Sequence, residues 1–161
     1  MRSHFLAESP IGTLTLVKTS GVLSGLYMGD ARAELLGPRA DSGFEDVVEQ
    51  LEEYFARKRT MFTVPIAPMG TTFQQRVWTE LTTIPYGETR SYGQLADAIG
   101  NRSAMRAVGA ANGRNPISII VPCHRVIGSN GTLVGYGGGL ERKRFLLDLE
   151  RATLPSGQTL F

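Results

Sequence analysis

The sequence has 161 residues, of which 42% are hydrophobic and 20% are charged, and its formal net charge at pH 7 is +2. This length accommodates one domain or two small ones, and the ordinary composition excludes a disordered chain, a fibre or a coiled coil. No apolar run approaches the roughly 18 residues that a membrane-spanning helix requires, and Glu8 interrupts the N-terminal apolar stretch too early for a secretory signal. We therefore expect a cytoplasmic protein with no membrane-inserted segment.

The small net charge conceals an asymmetry between the two parts of the chain. Residues 1–68 carry 7 Lys and Arg against 9 Asp and Glu, whereas residues 69–161 carry 10 against 6. The positive surplus of the second part consists mostly of Arg, which is a good partner for phosphate. It is too small to indicate a nucleic-acid partner by itself.

The N-terminal third is predicted to be rich in β-strands. Short apolar runs at residues 4–7, 13–17 and 22–28 are separated by Pro, Ser and Gly, a pattern that predicts an antiparallel meander. A polar loop is expected over residues 29–43, and a further strand is expected over residues 61–66.

A helix is predicted between that loop and that strand. Its apolar residues recur at the spacing of one helical face, and the acidic residues among them point the other way, towards solvent. The apolar face consists of Phe44, Val47, Val48, Leu51, Tyr54 and Phe55.

The second part of the chain carries signals for helices. Thr72 and Gln75 have the spacing of a capping box and predict a helix that ends before the following Pro-Tyr-Gly segment. Ser91 and Gln94 form a second such pair, ahead of a helix that Gly100 ends.

A third helix, predicted over residues 104–112, follows so closely that the two form a helix-turn-helix signature. Ser103 is its predicted N-cap, and Gly113 lies just past its predicted end. Its side chains are nearly all small, which is typical of a surface that another backbone approaches closely. Tight packing inside the domain is the alternative interpretation.

The segment after these helices leads to the most informative residues. Residues 117–121 are β-branched and apolar and predict a buried strand, and a Gly-rich loop or hairpin is expected over residues 128–139. That loop lacks the pattern of a phosphate-binding P-loop. A final helix is predicted over residues 140–151.

Cys123 is the single cysteine, so the chain forms no internal disulfide, and with His4 and His124 it cannot assemble a closed zinc site. A lone thiol is either an inert small side chain or a nucleophile. An imidazole that accepts its proton makes it reactive, so the adjacent His124 favours a nucleophile if a turn brings the two groups together. The alternative is a buried structural cysteine beside a surface histidine.

A catalytic histidine needs a third group to orient it. Three downstream carboxylates are candidates on position alone, and the sequence pattern does not choose among them. They are Glu141, Asp148 and Glu150.

Several motifs together resemble the O6-alkylguanine-DNA alkyltransferases. The active-site signature of that family is similar to residues 122–127, Pro-Cys-His-Arg-Val-Ile, and Asn115 precedes the cysteine by the family's interval. Arg106 lies in an Arg-Ala-Val-Gly helix like that of the family, and residues 91–96 and 136–139 are also similar. Glu150 stands 27 residues after Cys123, where the family carries its third catalytic residue. The resemblance extends over about residues 71–152.

The resemblance implies a two-domain α/β (α+β) protein. Residues 1–68 would form a ribonuclease-H-like domain, an antiparallel β-sheet with a flanking helix. Residues 71–161 would form a mainly helical DNA-binding and alkyltransferase domain that contains the helix-turn-helix.

The resemblance also implies direct-reversal DNA repair. Such a protein flips O6-alkylguanine, and also O4-alkylthymine, out of the duplex and moves the alkyl group irreversibly to its own cysteine, one lesion per molecule. We expect alkylated double-stranded DNA as the partner and a monomer in solution, with no cofactor, no metal and no obligatory protein partner.

The family's residue roles are carried over by motif. The expected proton relay runs from Glu150 through His124 and a water molecule to Cys123, and Tyr92 would protonate the departing base oxygen. Five further residues are expected to hold the base or brace its pocket: Asn115, Val126, Tyr136, Gly137 and Lys143. The expected DNA contacts come first from the small-residue helix, through Ala104, Ala107 and Ala110, with Arg106 entering the base stack. Neighbouring arginines are expected to contact phosphate: Arg102, Arg114 and Arg125.

Three rival functions are distinguishable. A non-enzymatic binder of alkylated DNA would lack the nucleophile, whereas Cys123 is present. A transcriptional regulator would need polar side chains on its recognition helix to read base edges in the major groove, and the alanines of residues 104–111 cannot supply them. A cysteine hydrolase would turn over esters or peptides repeatedly.

Overall fold

The computed structural model describes residues 1–29, 36–128, 131, 136 and 138–153. They form two compact units. One unit comprises Met1–Met69 with Pro116–Ser118, and the other comprises Gly70–Asn115 with the described residues from Ile119 onward. The first unit holds an antiparallel sheet and a helix and the second is mainly helical, so the predicted α+β class is confirmed.

The first unit is built on a three-stranded antiparallel meander. Its strands are β1 (Arg2–Ala7), β2 (Leu14–Thr19) and β3 (Val22–Met28), in the order β1-β2-β3. The turn between β2 and β3 consists of Ser20 and Gly21, with φ of 52° and 81°. Two successive residues with positive φ are the pattern of a type I′ turn, whose twist matches that of the flanking strands.

Helix α1 (Glu45–Phe55) buries the face that the periodicity predicts. Val47, Leu51 and Tyr54 are buried, and the preceding Phe44 is 2% exposed. The ring of Phe44 stacks on Phe5 of β1 with the ring centroids 5.7 Å apart, so the helix closes the core of this unit against the sheet.

Two predictions for the first unit change. The strand predicted over residues 61–66 is wrong, because only Ile66 forms a bridge, with Leu23, and the Ala67 amide donates to the Leu23 carbonyl. The prolines at 65 and 68 have no N–H and cannot extend this pairing. The loop predicted over residues 29–43 includes residues 30–35, which lie outside the described part of the chain, and its described part contains a buried Leu36.

The second unit contains four helices and one short parallel strand pair among its described residues. The helices are α2 (Thr72–Leu81), α3 (Tyr92–Ala98), α4 (Met105–Gly113) and α5 (Leu140–Thr153). Strand β4 (Arg90–Ser91) pairs with β5 (Val126–Ile127). No helix among the described residues is long and apolar enough to cross a membrane.

One predicted capping box is correct and the other is displaced by one residue. At α3, the Gln94 amide donates to the Ser91 hydroxyl at 3.1 Å and the Ser91 amide donates to the Gln94 side chain at 2.9 Å. At α2, the same reciprocal pair is made by Thr71 and Gln74 and not by Thr72 and Gln75. Both registers fit the sequence pattern. Gly70, just before the observed cap, packs so closely on the Trp78 ring that no side chain would fit there.

The predicted helix-turn-helix is formed by α3 and α4. Gly100, at φ of 81°, follows the end of α3, and a 3₁₀ turn over Arg102–Ala104 leads into α4. The Ser103 cap is wrong, because its hydroxyl donates to the Asn101 side chain and α4 has no side-chain cap. Gly113 is the last residue of α4 and does not lie beyond it.

The predicted strand over residues 117–121 is also wrong. Only Ile117 forms a bridge, and the following residues turn, with Ile119 at φ of 73°. Such a backbone is rare for a β-branched residue. Ile119 and Val121 are nevertheless buried, so the apolar run correctly predicted burial while its backbone is a turn.

Candidate active site and DNA-binding face

A 3₁₀ turn positions the cysteine and the histidine. Pro122, with ψ of 64°, leads into the turn formed by Cys123–Arg125, and β5 follows directly. Arg90 of β4 pairs with Val126 of β5, and β4 continues straight into α3 at Tyr92. Pairing of the two short strands therefore holds the first turn of α3 beside the segment that carries Cys123.

A buried carboxylate connects two basic side chains. His124 Nε2 lies 2.7 Å from Glu150 Oε2, and Arg125 donates to Oε1 from Nε at 2.9 Å and to Oε2 from Nη2 at 3.0 Å. Glu150 and His124 are completely buried and Arg125 is 7% exposed. Of the three candidate carboxylates, Glu141 and Asp148 are exposed and only Glu150 lies against the histidine.

Glu150 is held in its ionised form. Burial alone would raise the pKa of Glu150, but the interaction with His124 and the hydrogen bonds and positive charge of Arg125 outweigh burial and hold the pKa far below its usual value. An ionised carboxylate only accepts hydrogen bonds, so Nε2 of His124 carries a hydrogen.

The His124 ring is held through one nitrogen, and the other has no partner among the residues described. Burial lowers the pKa of His124, and the Glu150 carboxylate opposes that effect only in part, so the imidazole is neutral at neutral pH. With its hydrogen on Nε2, the neutral ring has a lone pair on Nδ1. That nitrogen is buried and has no hydrogen-bond partner among the residues described.

Cys123 is a free, buried thiol with polar neighbours. Burial raises the pKa of the Cys123 thiol, whereas hydrogen bonds from Asn115 and Tyr136 and the charge of Lys143 lower it. The net shift is upward, so the resting group is a thiol that must lose its proton in order to react.

Lys143 is a fully buried cation on α5. Its Nζ donates to the carbonyl oxygen of Val126 at 2.6 Å and lies 6.0 Å from the centre of the Tyr136 ring. Burial lowers the pKa of Lys143, and the negative charge of a Cys123 thiolate would raise it. Lys143 thus hydrogen-bonds to the Val126 carbonyl, lies near the Tyr136 ring and acts on the thiol through its charge.

Asn115 braces the turn ahead of the cysteine. Its side-chain Nδ2 donates to the Val121 carbonyl at 2.7 Å, and the residue is buried. Tyr92 is half-buried and hydrogen-bonds to the side chain of Asn112 on α4. The expected substrate residue Gly137 lies outside the described residues.

One face of α4 is open to solvent and carries most of the predicted DNA contacts. Arg106, Ala107, Ala110 and Arg114 are exposed, whereas Val108 on the opposite side of the helix is fully buried. On the buried side, the Trp78 indole N–H donates to the Ala111 carbonyl at 2.8 Å. Tight packing inside the unit therefore holds for the buried face, and close approach of another backbone stays a prediction for the exposed face.

The other predicted DNA contacts differ in their surroundings. Ala104 is partly exposed, and Arg102 is exposed with its guanidinium 2.9 Å from Asp97. Arg125 is not a surface residue, so the expectation that it contacts phosphate is wrong. Its guanidinium donates hydrogen bonds to Glu150 and, at 2.7 Å, to the Ile84 carbonyl.

Two features of the site were missed from the sequence. One is that the Glu150 carboxylate contacts Arg125 as well as His124. The other is Asn112. Its only signal is a large polar residue in a helix of small ones, one turn before Asn115.

Two family models match the chain. The model described as "6-O-methylguanine DNA methyltransferase, DNA binding domain" matches residues 72–152, and the model described as "6-O-methylguanine DNA methyltransferase, ribonuclease-like domain" matches residues 3–68. The chain belongs to the 6-O-methylguanine DNA methyltransferase family. The family resemblance identified from the motifs is therefore confirmed.

Curated relatives of this family match over almost their full length. A methylated-DNA–protein-cysteine methyltransferase of Mycobacterium bovis is 55% identical over 157 residues, which cover 96% of this chain and 95% of the relative. The protein of the same name in Methanosarcina acetivorans is 50% identical over 151 residues, 91% of this chain and 97% of the relative.

Solved structures of the family have the same fold. The Mycobacterium tuberculosis OGT in complex with DNA has a TM-score of 0.88 and 54% identity, and the match covers 96% of each chain. An O6-methylguanine DNA methyltransferase from Methanococcus jannaschii has a TM-score of 0.69 and 26% identity over 97% of this chain and 99% of its own.

Proposed function

We propose that this protein is a methylated-DNA–protein-cysteine S-methyltransferase that repairs O6-alkylguanine in duplex DNA by moving the alkyl group to Cys123. The observation that carries the proposal is the buried hydrogen bond between Glu150 and His124, directly next to Cys123 in the chain, with the histidine neutral and its Nδ1 left without a partner among the residues described. Membership of the family adds the substrate class.

The reaction uses one proton and one electron pair. Nδ1 of His124 takes the proton of Cys123 through a bridging water, and Glu150 stabilises the resulting imidazolium. The thiolate attacks the alkyl carbon, the bond between that carbon and O6 breaks, and its electron pair goes to the base. Tyr92 returns a proton to the base, and the imidazolium proton replaces the one that Tyr92 loses.

The product is a thioether on Cys123, which no described residue is placed to hydrolyse. A carbon–sulfur bond of this kind is stable, so the protein is consumed and one molecule repairs one lesion. We extend the same reaction to O4-alkylthymine, whose alkyl group is attached to oxygen in the same way.

The base is held by backbone and side-chain groups near Cys123. The Val126 carbonyl accepts from the exocyclic amine, and it retains a second lone pair while Lys143 occupies the first. Tyr136 walls the pocket and Gly137 donates its amide to the base oxygen. Asn115 keeps the turn in place through its bond to the Val121 carbonyl.

The exposed face of α4 enters the minor groove. Its small side chains allow close approach to the DNA backbone, and Arg106 fills the gap that the extruded base leaves. Arg102 and Arg114 contact phosphates, and Arg102 exchanges Asp97 for a phosphate when it binds.

We assign two domains to the chain. Residues 71–161 carry DNA binding and alkyl transfer, and residues 1–68 form the ribonuclease-H-like domain.

The protein acts as a monomer without an obligatory protein partner. It acts in the cytoplasm, because its nucleophile is useful only where thiols stay reduced.

Peptide mapping after reaction with a methylated duplex oligonucleotide tests the proposal. The methyl group should appear on Cys123 and on no other residue. Cys123→Ser should bind the same duplex with similar affinity but accept no methyl group, because a hydroxyl is a much weaker nucleophile at neutral pH. A methyl group on another residue, or released methanol, would refute the proposal.

A further inference from the structure

Asn112 is a buried amide to which the mechanism above gives no role. It lies on α4, is 3% exposed, and stands on the inner side of a helix whose other residues are mostly small. Burying an amide is costly unless its polar atoms are used. Its neighbours are therefore informative.

The Tyr92 side chain lies along α4 and reaches Asn112. A Cβ placed on Gly109 would be 3.8 Å from two carbons of the Tyr92 ring, so the ring rests against that glycine. Asn112 is three residues further on and shares that helical face. The Tyr92 hydroxyl hydrogen-bonds to its side chain.

The surroundings determine which end of the amide faces the site. Asn112 Nδ2 lies 3.5 Å from the carbonyl oxygen of Cys123, and a carbonyl can only accept. Asn112 Oδ1 has no donor among the residues described. The NH₂ end therefore faces Cys123 and Tyr92.

The effect on Tyr92 agrees with this orientation. Burial raises the pKa of Tyr92, and the Asn112 side chain lowers it. Lowering is the direction expected when an N–H donates to the phenol oxygen, because that bond stabilises the phenolate.

We propose that Asn112 is a positioning residue for Tyr92, donating to the phenol oxygen and thereby directing the phenol hydrogen towards the base. One lone pair of the phenol oxygen is occupied by the amide, so the hydroxyl hydrogen must point elsewhere, into the pocket beside Cys123. The contact between Asn112 Nδ2 and the Cys123 carbonyl fixes the amide relative to the residue that carries the thiol. The inference rests on the proposed function, in which Tyr92 returns the proton.

A double-mutant cycle with Tyr92→Phe tests whether Asn112 acts through Tyr92. Asn112→Leu should lower the single-turnover methyl-transfer rate about fivefold, the factor that corresponds to one ordinary hydrogen bond. In the Tyr92→Phe background it should change the rate little, because the phenol is already gone. An equal loss in both backgrounds would assign Asn112 to the structure of the turn and overturn the inference.

A second readout does not depend on methyl transfer. Tyrosines labelled with ¹³C at Cζ are titrated by NMR, and the Tyr92 signal is identified by its loss in Tyr92→Phe. Asn112→Leu should move the ionisation of Tyr92 to higher pH, and an unmoved titration would overturn the inference. If the unsubstituted protein transfers no methyl group, the proposed function fails while this titration still decides the role of Asn112.

Asn112→Asp is the matched variant should the leucine variant not fold. Its shape is nearly that of asparagine, but its carboxylate accepts the phenol hydrogen that the amide leaves for the base. It should therefore raise the ionisation pH of Tyr92 and lower the transfer rate by more than fivefold, a larger loss than one missing hydrogen bond explains. A normal rate in Asn112→Asp would refute the inference.

Discussion

At the residue scale, the Glu150 carboxylate accepts hydrogen bonds from two basic side chains and one backbone amide. Oε2 accepts from His124 and Arg125, while Oε1 accepts from Arg125 and, at 3.5 Å, from the Gly87 amide. A role in orienting the base and a role in holding a buried arginine are therefore compatible. Substitutions that remove one role at a time separate them.

Glu150→Gln removes the charge while keeping the size of the side chain. It should lower the single-turnover rate at least tenfold, because the imidazolium loses its counter-charge. It should also lower the free energy of unfolding by about 3 kcal/mol, because Arg125 is left as a buried unpaired charge. Both quantities are measured on one sample, by rapid-quench kinetics and denaturant unfolding.

Arg125→Lys is the control for that experiment. It keeps a cation near Glu150 but loses the bidentate geometry, so stability should fall while the rate of the folded protein stays within about twofold. A normal rate in Glu150→Gln would remove Glu150 from the catalytic residues and leave it a purely structural role.

The buried, neutral His124 predicts how stability depends on pH. Its pKa is lowered on folding from the ordinary value of 6.5, so below pH 6.5 the unfolded chain takes up a proton that the folded chain excludes. The contribution of His124 to the free energy of unfolding should therefore be constant above pH 6.5. It should fall as the pH drops below 6.5. Denaturant unfolding between pH 8 and about pH 5 measures this loss.

A matched pair of variants assigns the effect to His124. His124→Gln should remove the part of the loss that begins at pH 6.5. His4→Gln changes the other histidine, whose Nδ1 lies 2.9 Å from the Gly37 carbonyl, and should retain the loss. Glu150 contributes at lower pH, because its pKa is lowered from 4.5 and its stabilisation is lost only as the pH falls below that value. Retention of the upper step in His124→Gln would contradict this account.

At the element scale, the start of α2 is a test of local structure. Thr71→Ala removes the hydroxyl that caps the helix and should lower the free energy of unfolding by about 1 kcal/mol. Thr72→Ala should change it by less than half as much, since Thr72 is exposed and is not the cap. Urea unfolding of the two variants gives the comparison, and a larger loss for Thr72→Ala would support the register predicted from the sequence.

The exposed face of α4 is expected to act only when the substrate is a duplex. Arg106→Ala should slow repair of a methylated duplex by tenfold or more and leave transfer from free O6-methylguanine nearly unchanged, because only the duplex requires a filler for the extruded base. Single-turnover rates on the two substrates measure the difference. Equal losses on both would place Arg106 in the pocket or in the fold.

Arg144→Ala is the matched control for Arg106→Ala. It removes an exposed charge from α5 of the same unit and should affect the two substrates alike. Ala107→Glu adds bulk and negative charge to the exposed face of α4 and should weaken duplex binding while sparing the free base.

The elements that the sequence predicted well have a helical period or clear end signals. Strand β3 is an apolar run between turn residues, and the buried face of α1 follows from helical spacing. The Ser91 cap marks the start of α3, and Gly100 marks the turn between α3 and α4. The misassigned segment at residues 117–121 is apolar without a period, so burial could be inferred but not the backbone. The side chain of Asn115 bonds to Val121 there, and no local pattern reveals such a contact.

The site itself was predictable only in part. The adjacent Cys123 and His124 indicated a nucleophile with a base, and the family resemblance implied Glu150 as the third residue. The structure places His124 and Glu150 in contact. The sequence could not show that Arg125 turns inward, because an arginine after the catalytic pair is equally suited to a phosphate and to a carboxylate. The contact between Asn112 of α4 and Tyr92 of α3 can be found only from the packing of the two helices.

At the scale of the whole molecule, the proposed chemistry makes each protein molecule a reagent that is used once. Both family models match, and relatives are similar along nearly the whole chain. The single cysteine lies in a unit that also carries the exposed helix α4. Recognition and chemistry are therefore joined in one event, which ends when the thiol is alkylated.

Counting lesions repaired per protein molecule tests this central claim most directly. The protein is incubated with a large excess of methylated duplex DNA, and intact-protein mass spectrometry is compared with the amount of guanine restored. The account predicts that every molecule gains the mass of one methyl group, that one guanine is restored per protein, and that repair then stops. Continued repair beyond one lesion per molecule, with the protein mass unchanged, would contradict it.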